Sequence, residues 1–148
     1  MTPEQKDILR DTWQSVVPIA DHAAKLFYGR LFEIDPATRP LFARAAMPEQ
    51  RRKLMQSLAL VIDGIDELER LIPAIEALGR RHAGYGLNDA HYFSVGSALL
   101  WALEQGLGDA WTPEAADAWS SVYALVAGAM MKASKTVGPF QERTERAA

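Results

Sequence analysis

The chain contains no cysteine among its 148 residues. This absence excludes disulfide bonds, thiolate catalysis and zinc sites built on sulfur. A metal ion would therefore have to be held by histidine, by carboxylates, or by a cofactor that brings its own ligands. The lack of cysteine is also compatible with a reducing cytoplasm, where we expect the protein to reside.

Concentrated charge is absent as well. The chain carries 16 basic and 19 acidic residues, which are interspersed and sum to a net charge of -3. Proteins that bind nucleic acid usually present a concentrated basic face, so no nucleic-acid partner is predicted. The longest uncharged stretch, residues 118–131, is shorter than the ~20 residues that span a bilayer. The N-terminus lacks the basic and apolar segments of a signal peptide, so a soluble protein with no membrane partner is expected.

Length and composition indicate one domain, residues 1–148, with 49% hydrophobic and 24% charged residues. Residues 138–148 read as a flexible polar tail. No window shows the two-residue alternation of β-strands, and glycine and proline fall between helical segments. We therefore predict an all-α domain of seven or eight helices.

Capping residues mark where several helices begin. Thr2 and Gln5 form a capping box, and Thr112 precedes a proline in the same way. Asn88 or Asp89 is predicted to cap a later helix. A short helical turn or two is expected over Pro36–Phe42. A long helix opening at Pro48 is predicted to place on one face Leu54, Leu58, Val61 and Ile65.

His82 is the most informative residue. It closes an apolar stripe with helical spacing, after which Gly84 and Gly86 end the helix. The stripe consists of Leu71, Ile75, Leu78 and His82. Gln50 and Leu54 share a face of another helix and are predicted to reach the same cavity. The pattern favours a cofactor slot with a metal ligand on one wall and a polar group on the other. The alternative is an ordinary packed core histidine.

The order of these residues resembles the globin family, specifically the single-domain bacterial haemoglobins related to the haem domain of flavohaemoglobins. The resemblance spans about Glu4 to Met131. It implies a globin fold, haem b as cofactor, and His82 as the proximal ligand of the iron. The matching segments are Phe27-Tyr28, Arg39-Pro40-Leu41-Phe42, Gln50 with Leu54, His82, and His91-Tyr92 with Val95-Gly96.

On the proximal side, the second nitrogen of a ligating imidazole donates a hydrogen bond that fixes the ring. A backbone carbonyl near Leu78 is the expected acceptor. Tyr92 matches a family position beside the proximal histidine, where its phenol would join this network. The alternative for Tyr92 is an ordinary core tyrosine.

On the distal side, the resemblance implies that Tyr28 and Gln50 donate hydrogen bonds to bound dioxygen. The alternatives are a buried Tyr28 satisfied by a carbonyl and a solvent-facing Gln50. Phe42 would pack on the haem face, and Leu54 would limit the volume of the pocket. Both residues also suit a plain core.

Three cations, Arg52, Lys53 and Arg81, are expected near the rim of the pocket, where a cation would pair with a haem propionate. A solvated charged face is the alternative for at least two of them. His91 is predicted to serve at the surface or in a helix cap, and His22 at the surface.

One departure from the family bears on function. Flavohaemoglobin-type globins often place on the last helix a glutamate that strengthens the proximal imidazole as a donor. That position falls here at about Ser134, and no glutamate occurs between Glu114 and Glu142. Reversible ligand binding is thereby favoured over peroxidase-like chemistry.

Three functions remain open from the sequence. The first is reversible dioxygen binding for transport, storage or scavenging. The second is nitric oxide dioxygenation, which would depend on an external reductase because no glycine-rich dinucleotide motif follows a strand. The third is a freestanding haem-based sensor of a gas or of redox state. A haem-free, globin-like regulator is a further alternative.

Overall fold

The computed structural model describes residues 1–135, so the tail predicted at residues 138–148 lies outside the described residues. Six α-helices follow one another, and residues 1–135 contain no strand, which confirms the all-α prediction. The helices are α1 (Pro3–Val16), α2 (Ala20–Ile34), α3 (Met47–Asp63), α4 (Leu68–Gly84), α5 (Asp89–Leu107) and α6 (Pro113–Ser134).

The described residues form six α-helices and four 3-10 helices, so the expected count of seven or eight helices is near but not matched. Pro36–Phe42, predicted as one or two helical turns, is such a 3-10 helix. Ile65 was expected on the long helix that opens near Pro48, but that helix ends at Asp63 and Ile65 begins a separate 3-10 helix. Gly64 between them ends α3, because glycine favours helix termination.

Side-chain caps fix the helix ends as predicted. The Thr2 hydroxyl accepts from the Gln5 amide at 3.1 Å, and the Gln5 side chain accepts from the Thr2 amide at 3.0 Å. At the start of α5, the Asn88 side chain accepts from the His91 amide at 3.2 Å. The His91 Nδ1 atom in turn accepts from the Asn88 amide at 3.1 Å, which confirms the capping use of His91.

A buried polar contact ties the first helix to the last. The indole nitrogen of Trp119 donates to the Thr12 hydroxyl at 2.9 Å, and both residues are buried. The Thr12 hydroxyl donates in turn to the Ile8 carbonyl at 2.7 Å. Two polar groups of the core are thus satisfied by each other and by the backbone.

Helix α4 owes its position to a close approach against α6. A Cβ atom placed on Gly79 would lie 2.5 Å from the Met130 carbonyl oxygen, nearer than real Cβ contacts allow. Only glycine at this position lets the two backbones meet. His82, one turn further along α4, is held in place by this packing.

The apolar residues form two clusters. The larger one is built on α1, α2, α5 and α6 and includes Leu9, Leu31 and Trp119. The smaller one joins α4, α5 and α6 through Ile75, Tyr92, Ala127 and Met130. Helix α3 packs on α2 and α1 while α4 packs mainly on α6, so α3 and α4 have little direct contact.

No helix among residues 1–135 combines the length and the hydropathy that crossing a membrane requires.

Candidate functional site

The imidazole of His82 is held by its own helix. Its Nδ1 atom lies 2.8 Å from the Leu78 carbonyl oxygen, one turn earlier in α4. A neutral ring that donates from Nδ1 leaves Nε2 with a free lone pair, which is the arrangement a metal ligand needs. The hydrogen bond expected from the sequence for this ring is therefore present.

The charge state of His82 suits the same role. Burial lowers the pKa of the imidazole, and the nearby charge of Arg81 lowers it further, while the hydrogen bond to the Leu78 carbonyl acts in the opposite direction. The net effect is a lowered pKa, so the ring is neutral at pH 7. Neutral imidazole is the form that binds iron.

Tyr92 lies on α5 in the same small cluster as Leu78 and is 5% exposed. Its hydroxyl is buried and has no hydrogen-bond partner among the described residues. Burial, with a smaller effect from Asp89, raises the pKa of Tyr92 to about 12, so the phenol is protonated. A buried hydroxyl without a hydrogen-bond partner costs stability.

Ser134 does not supply that partner. Its hydroxyl donates to the Met131 carbonyl of its own helix at 2.6 Å. The position at which the resemblance would place a glutamate thus carries a hydroxyl that bonds within its own helix. No carboxylate of α6 reaches the Tyr92 hydroxyl among the described residues.

Tyr123 is a neighbour of this site that the sequence analysis missed. Its hydroxyl donates to the Tyr92 carbonyl at 2.5 Å, and a Cβ atom on Gly96 would lie 2.6 Å from its ring. Gly96, one turn after Tyr92, is the signal that was available, because a small residue in a helix often marks a close approach. Nothing in the sequence indicated which aromatic ring fills that space.

Tyr28, predicted on the distal side, lies on α2 and is 6% exposed. Its ring packs edge-on against Phe27 and Phe42, with centroids 4.8 Å and 5.4 Å away, and Phe32 lies at 6.1 Å. Such edge-to-face contacts add stability beyond the burial of area. Phe42 is held in the 3-10 helix Pro36–Phe42, so that corner of the chain closes over Tyr28.

The side chain of Gln50 forms a hydrogen bond with the Tyr28 phenol. Burial raises the pKa of the Tyr28 phenol, and a hydrogen bond from the Gln50 side chain opposes this effect only in part. The phenol therefore stays protonated at neutral pH and can donate. Gln50 and Leu54 are both half-buried on one face of α3, and Leu54 packs against the cluster that contains Tyr28.

The three rim cations are all exposed. Arg52 is paired with Glu49 in the first turn of α3, and Lys53 acts with Arg52 to lower the pKa of Glu49. Arg81 stands beside His82. The sequence analysis did not identify Arg51, which pairs with Asp21 at 2.8 Å and joins α3 to α2.

The candidate residues fall into the two apolar clusters. Tyr28, Phe42 and Leu54 belong to the large cluster, whereas Leu78 and Tyr92 belong to the small one. The set suits a flat apolar cofactor that brings a metal, because it combines a neutral imidazole with apolar side chains and polar donors. His22, predicted at the surface, is exposed on α2.

Comparison with known proteins shows which family the chain resembles. A family model described as Globin matches residues 25–130. The chain is 28% identical over 145 residues to neuroglobin of Danio rerio, across 89% of this chain and 91% of that protein. It is 29% identical over 140 residues to the flavohemoprotein of Bacillus subtilis (strain 168), across 90% of this chain. That alignment covers 35% of the flavohemoprotein, so the chain spans about a third of its length.

A solved structure confirms the predicted globin fold. The bacterial globin from Campylobacter jejuni superposes with a TM-score of 0.80, across 90% of this chain and 96% of the other, at 23% identity. At this identity the likeness concerns the fold alone. The family itself is shown by the family model, because residues 25–130 make up more than half of the chain. The chain belongs to the globin family.

Proposed function

We propose that this globin holds haem b through His82 and binds dioxygen reversibly beneath Tyr28 and Gln50. The observation that carries the proposal is the hydrogen bond from His82 Nδ1 to the Leu78 carbonyl, which leaves Nε2 free for iron. When bound, the haem iron would supply the coordination position for a diatomic gas. Every other element of the function comes from side chains of this chain.

Apolar side chains of both clusters would hold the cofactor by contact. We assign Phe42 and Leu54 of the large cluster to the distal side, and Leu78 and Tyr92 of the small cluster to the proximal side. Burying a large flat group between them joins the two apolar clusters into one core, which stabilises the fold at about 25 cal/mol per Å² of apolar surface. Lys53 is the exposed cation that we assign to a haem propionate, because Arg52 is already paired with Glu49.

On the distal side, Tyr28 and Gln50 present an O–H and an N–H donor. A partly negative ligand oxygen that accepts from such donors is stabilised by about 1.5–3 kcal/mol, the range for hydrogen bonds to charged groups. This stabilisation would slow escape of the ligand by roughly ten- to a hundredfold. Because the Tyr28 pKa is raised, the phenol keeps its proton and the donor persists throughout the neutral range.

The proximal side favours reversible binding over oxidative chemistry. The acceptor for His82 Nδ1 is a neutral backbone carbonyl, not a carboxylate. A carboxylate partner would make the imidazole a stronger donor to iron. With Ser134 bonded to its own helix, the described part of α6 supplies no such charge.

A second function, nitric oxide dioxygenation, is favoured by the similarity to the flavohemoprotein of Bacillus subtilis across 90% of this chain. Conversion of nitric oxide and dioxygen to nitrate consumes one electron per turnover. The chain would therefore depend on an external reductase to sustain it. Its distal donors, Tyr28 and Gln50, would be the same in both functions.

Absorption spectra of the purified protein in ferric, ferrous and oxygenated forms test the proposal. We expect a Soret band, and an oxygenated spectrum that returns to the ferrous spectrum when oxygen is removed. A protein that shows no Soret band after supplementation with haem would overturn the proposal. Nitrate yield from the oxygenated form, with and without an added reductase, separates the two functions: sustained turnover with the reductase favours the dioxygenase.

A further inference from the structure

The outer surface of α5 and α6 exposes an apolar patch around Phe93. Phe93 on α5 is 82% exposed, which makes it the most exposed large hydrophobic residue in the described part of the chain. Around it the two helices present mainly small or apolar side chains. We call this the α5–α6 face, and it consists of Phe93, Ser97, Leu100, Ser120, Tyr123, Ala124 and Gly128.

A cleft of about 230 Å³ lies beside Phe93 on this face. It runs between α5 and α6 and is lined by Tyr92, Phe93, Gly96, Ser97, Leu100, Ser120 and Tyr123. An apolar cavity of about 150 Å³ is enough to bind benzene, so the cleft has room for a phenyl ring. Phe93 of the same chain stands at the edge of the cleft, with most of its ring in solvent.

Charge is confined to the two ends of the face. Residues 90–103 and 118–131 contain no Asp, Glu, Lys or Arg. At one end lie Lys132 and Lys135, the latter 3.7 Å from Asp89. At the other end lie Glu104 and Asp117. An apolar centre with a charged rim is the usual anatomy of a protein interface.

We propose that the α5–α6 face is the self-association surface of this protein, on which a second copy of the chain docks antiparallel. In a symmetric dimer each copy uses the same patch, so the Phe93 ring of one copy enters the cleft of the other and the contact is made twice. The contact is independent of haem. The partner is a second copy of the chain because the face is complementary to itself in both shape and charge.

The distribution of charge selects the antiparallel arrangement. When α5 of one copy runs opposite to α5 of the other, Lys132 of one copy faces the end of the other copy that carries Glu104 and Asp117. A parallel arrangement would bring the two acidic ends together, and like charges at close range oppose association.

The size of the face indicates a reversible dimer. A helix of 19 residues such as α5 is roughly 28 Å long, and two adjacent helices are roughly 20 Å wide, which gives a flat footprint of roughly 550 Å². Stable interfaces bury about 800 Å² from each partner. The dimer is therefore expected to dissociate at concentrations on the order of micromolar.

Sedimentation velocity of the haem-loaded protein, from about 1 μM to about 1 mM, tests the proposal. We expect the wild-type protein to shift from monomer to dimer across this range. Phe93→Glu should weaken association at least about tenfold, because it places a carboxylate in an apolar cleft. The matched control is Val17→Glu, a similar change at an exposed apolar residue of another face, which should dimerise like the wild type.

A charge reversal tests the orientation. Lys132→Glu should weaken the dimer, and the double variant Lys132→Glu with Asp117→Lys should restore it. Failure of the second change to restore association would overturn the antiparallel arrangement. Two outcomes would overturn the self-association surface itself and favour a different protein partner for this face. One is a wild-type protein that stays monomeric at every concentration. The other is a Val17→Glu variant whose association is weakened as much as that of Phe93→Glu.

Discussion

The Nδ1 atom of His82 lies 2.8 Å from the carbonyl oxygen of Leu78. Because the acceptor is a main-chain atom, no side-chain substitution at position 78 deletes it, and the helix itself orients the ring. The arrangement fixes which nitrogen is free, since a neutral imidazole that donates from Nδ1 keeps its lone pair on Nε2. The assignment of His82 as the haem ligand depends on this relationship.

Replacing His82 by alanine should abolish stable haem binding. The variant removes the imidazole that we assign to the iron, and apolar contacts alone do not fix the iron. Haem content is measured by the Soret band and the pyridine haemochrome assay after purification. His22→Ala is the control, because His22 is exposed on α2 and should leave haem content unchanged. Normal haem content in His82→Ala would refute the proximal assignment.

Removing the Tyr28 hydroxyl should speed the escape of oxygen. Tyr28→Phe keeps the ring and its aromatic contacts but deletes the O–H donor, so we expect oxygen dissociation to be roughly ten- to a hundredfold faster. Stopped-flow mixing of the oxygenated protein measures the rate. Tyr123→Phe deletes the same atom at a hydroxyl that donates to the Tyr92 carbonyl, and should change the rate much less. An unchanged rate in Tyr28→Phe would remove Tyr28 from the ligand contacts.

Much of this fold could be predicted because its signals are local. The capping box of Thr2 and Gln5 and the cap at Asn88 depend on residues three positions apart, so their spacing can be seen in the sequence. The same holds for His82, whose partner lies one helical turn earlier. Tyr28 and Gln50, which are distant in sequence, were paired only through the resemblance to a family.

The features that were missed depend on tertiary packing. The hydrogen bond from Tyr123 to the Tyr92 carbonyl joins α6 to α5, and no local pattern encodes the register between two helices. The predicted extent of the helix that begins at Met47 was wrong for a different reason. Ile65 continues its apolar stripe, but Gly64 breaks the helix first, and hydrophobic periodicity alone does not register that break.

Because α4 and α6 approach closely, adding a single methyl group at Gly79 should lower the free energy of unfolding. In Gly79→Ala the new Cβ would lie 2.5 Å from the Met130 carbonyl oxygen, and a backbone atom cannot move aside cheaply. We expect the free energy of unfolding to fall by about 1–3 kcal/mol, the usual cost of overpacking. Gly29→Ala is the matched control, because its Cβ would meet open space and alanine favours a helix by about 0.5–1 kcal/mol. Urea unfolding measures both, and a stabilised Gly79→Ala variant would contradict the packing.

The contact between Thr12 and Trp119 makes a further prediction. Thr12→Val keeps the shape of the side chain but leaves the buried indole N–H of Trp119 without its acceptor. We expect a loss of about 1–3 kcal/mol in the free energy of unfolding. Thr12→Ser retains the hydroxyl and should lose less. Equal losses in the two variants would show that the methyl group, not the hydrogen bond, stabilises this junction.

Removing the unpartnered hydroxyl of Tyr92 should raise the free energy of unfolding, whereas the two changes above lower it. In the haem-free protein, Tyr92→Phe removes a buried hydroxyl that has no partner among the described residues. The free energy of unfolding should therefore rise by about 1 kcal/mol. Tyr123→Phe, which loses a hydrogen bond, should require about 1 kcal/mol less. The expected differences are measured by urea unfolding at pH 7.

The same residue controls part of the stability at alkaline pH. The folded pKa of Tyr92 is raised from 10.0 to about 12, so between these values the folded state binds more protons than the unfolded state. The free energy of unfolding must then fall as pH rises from 10 to 12. Tyr92→Phe removes this contribution, and its stability should decline less steeply than that of the wild type over the same range. Parallel curves for the two proteins would show that Tyr92 titrates normally and that its hydroxyl is not buried as described.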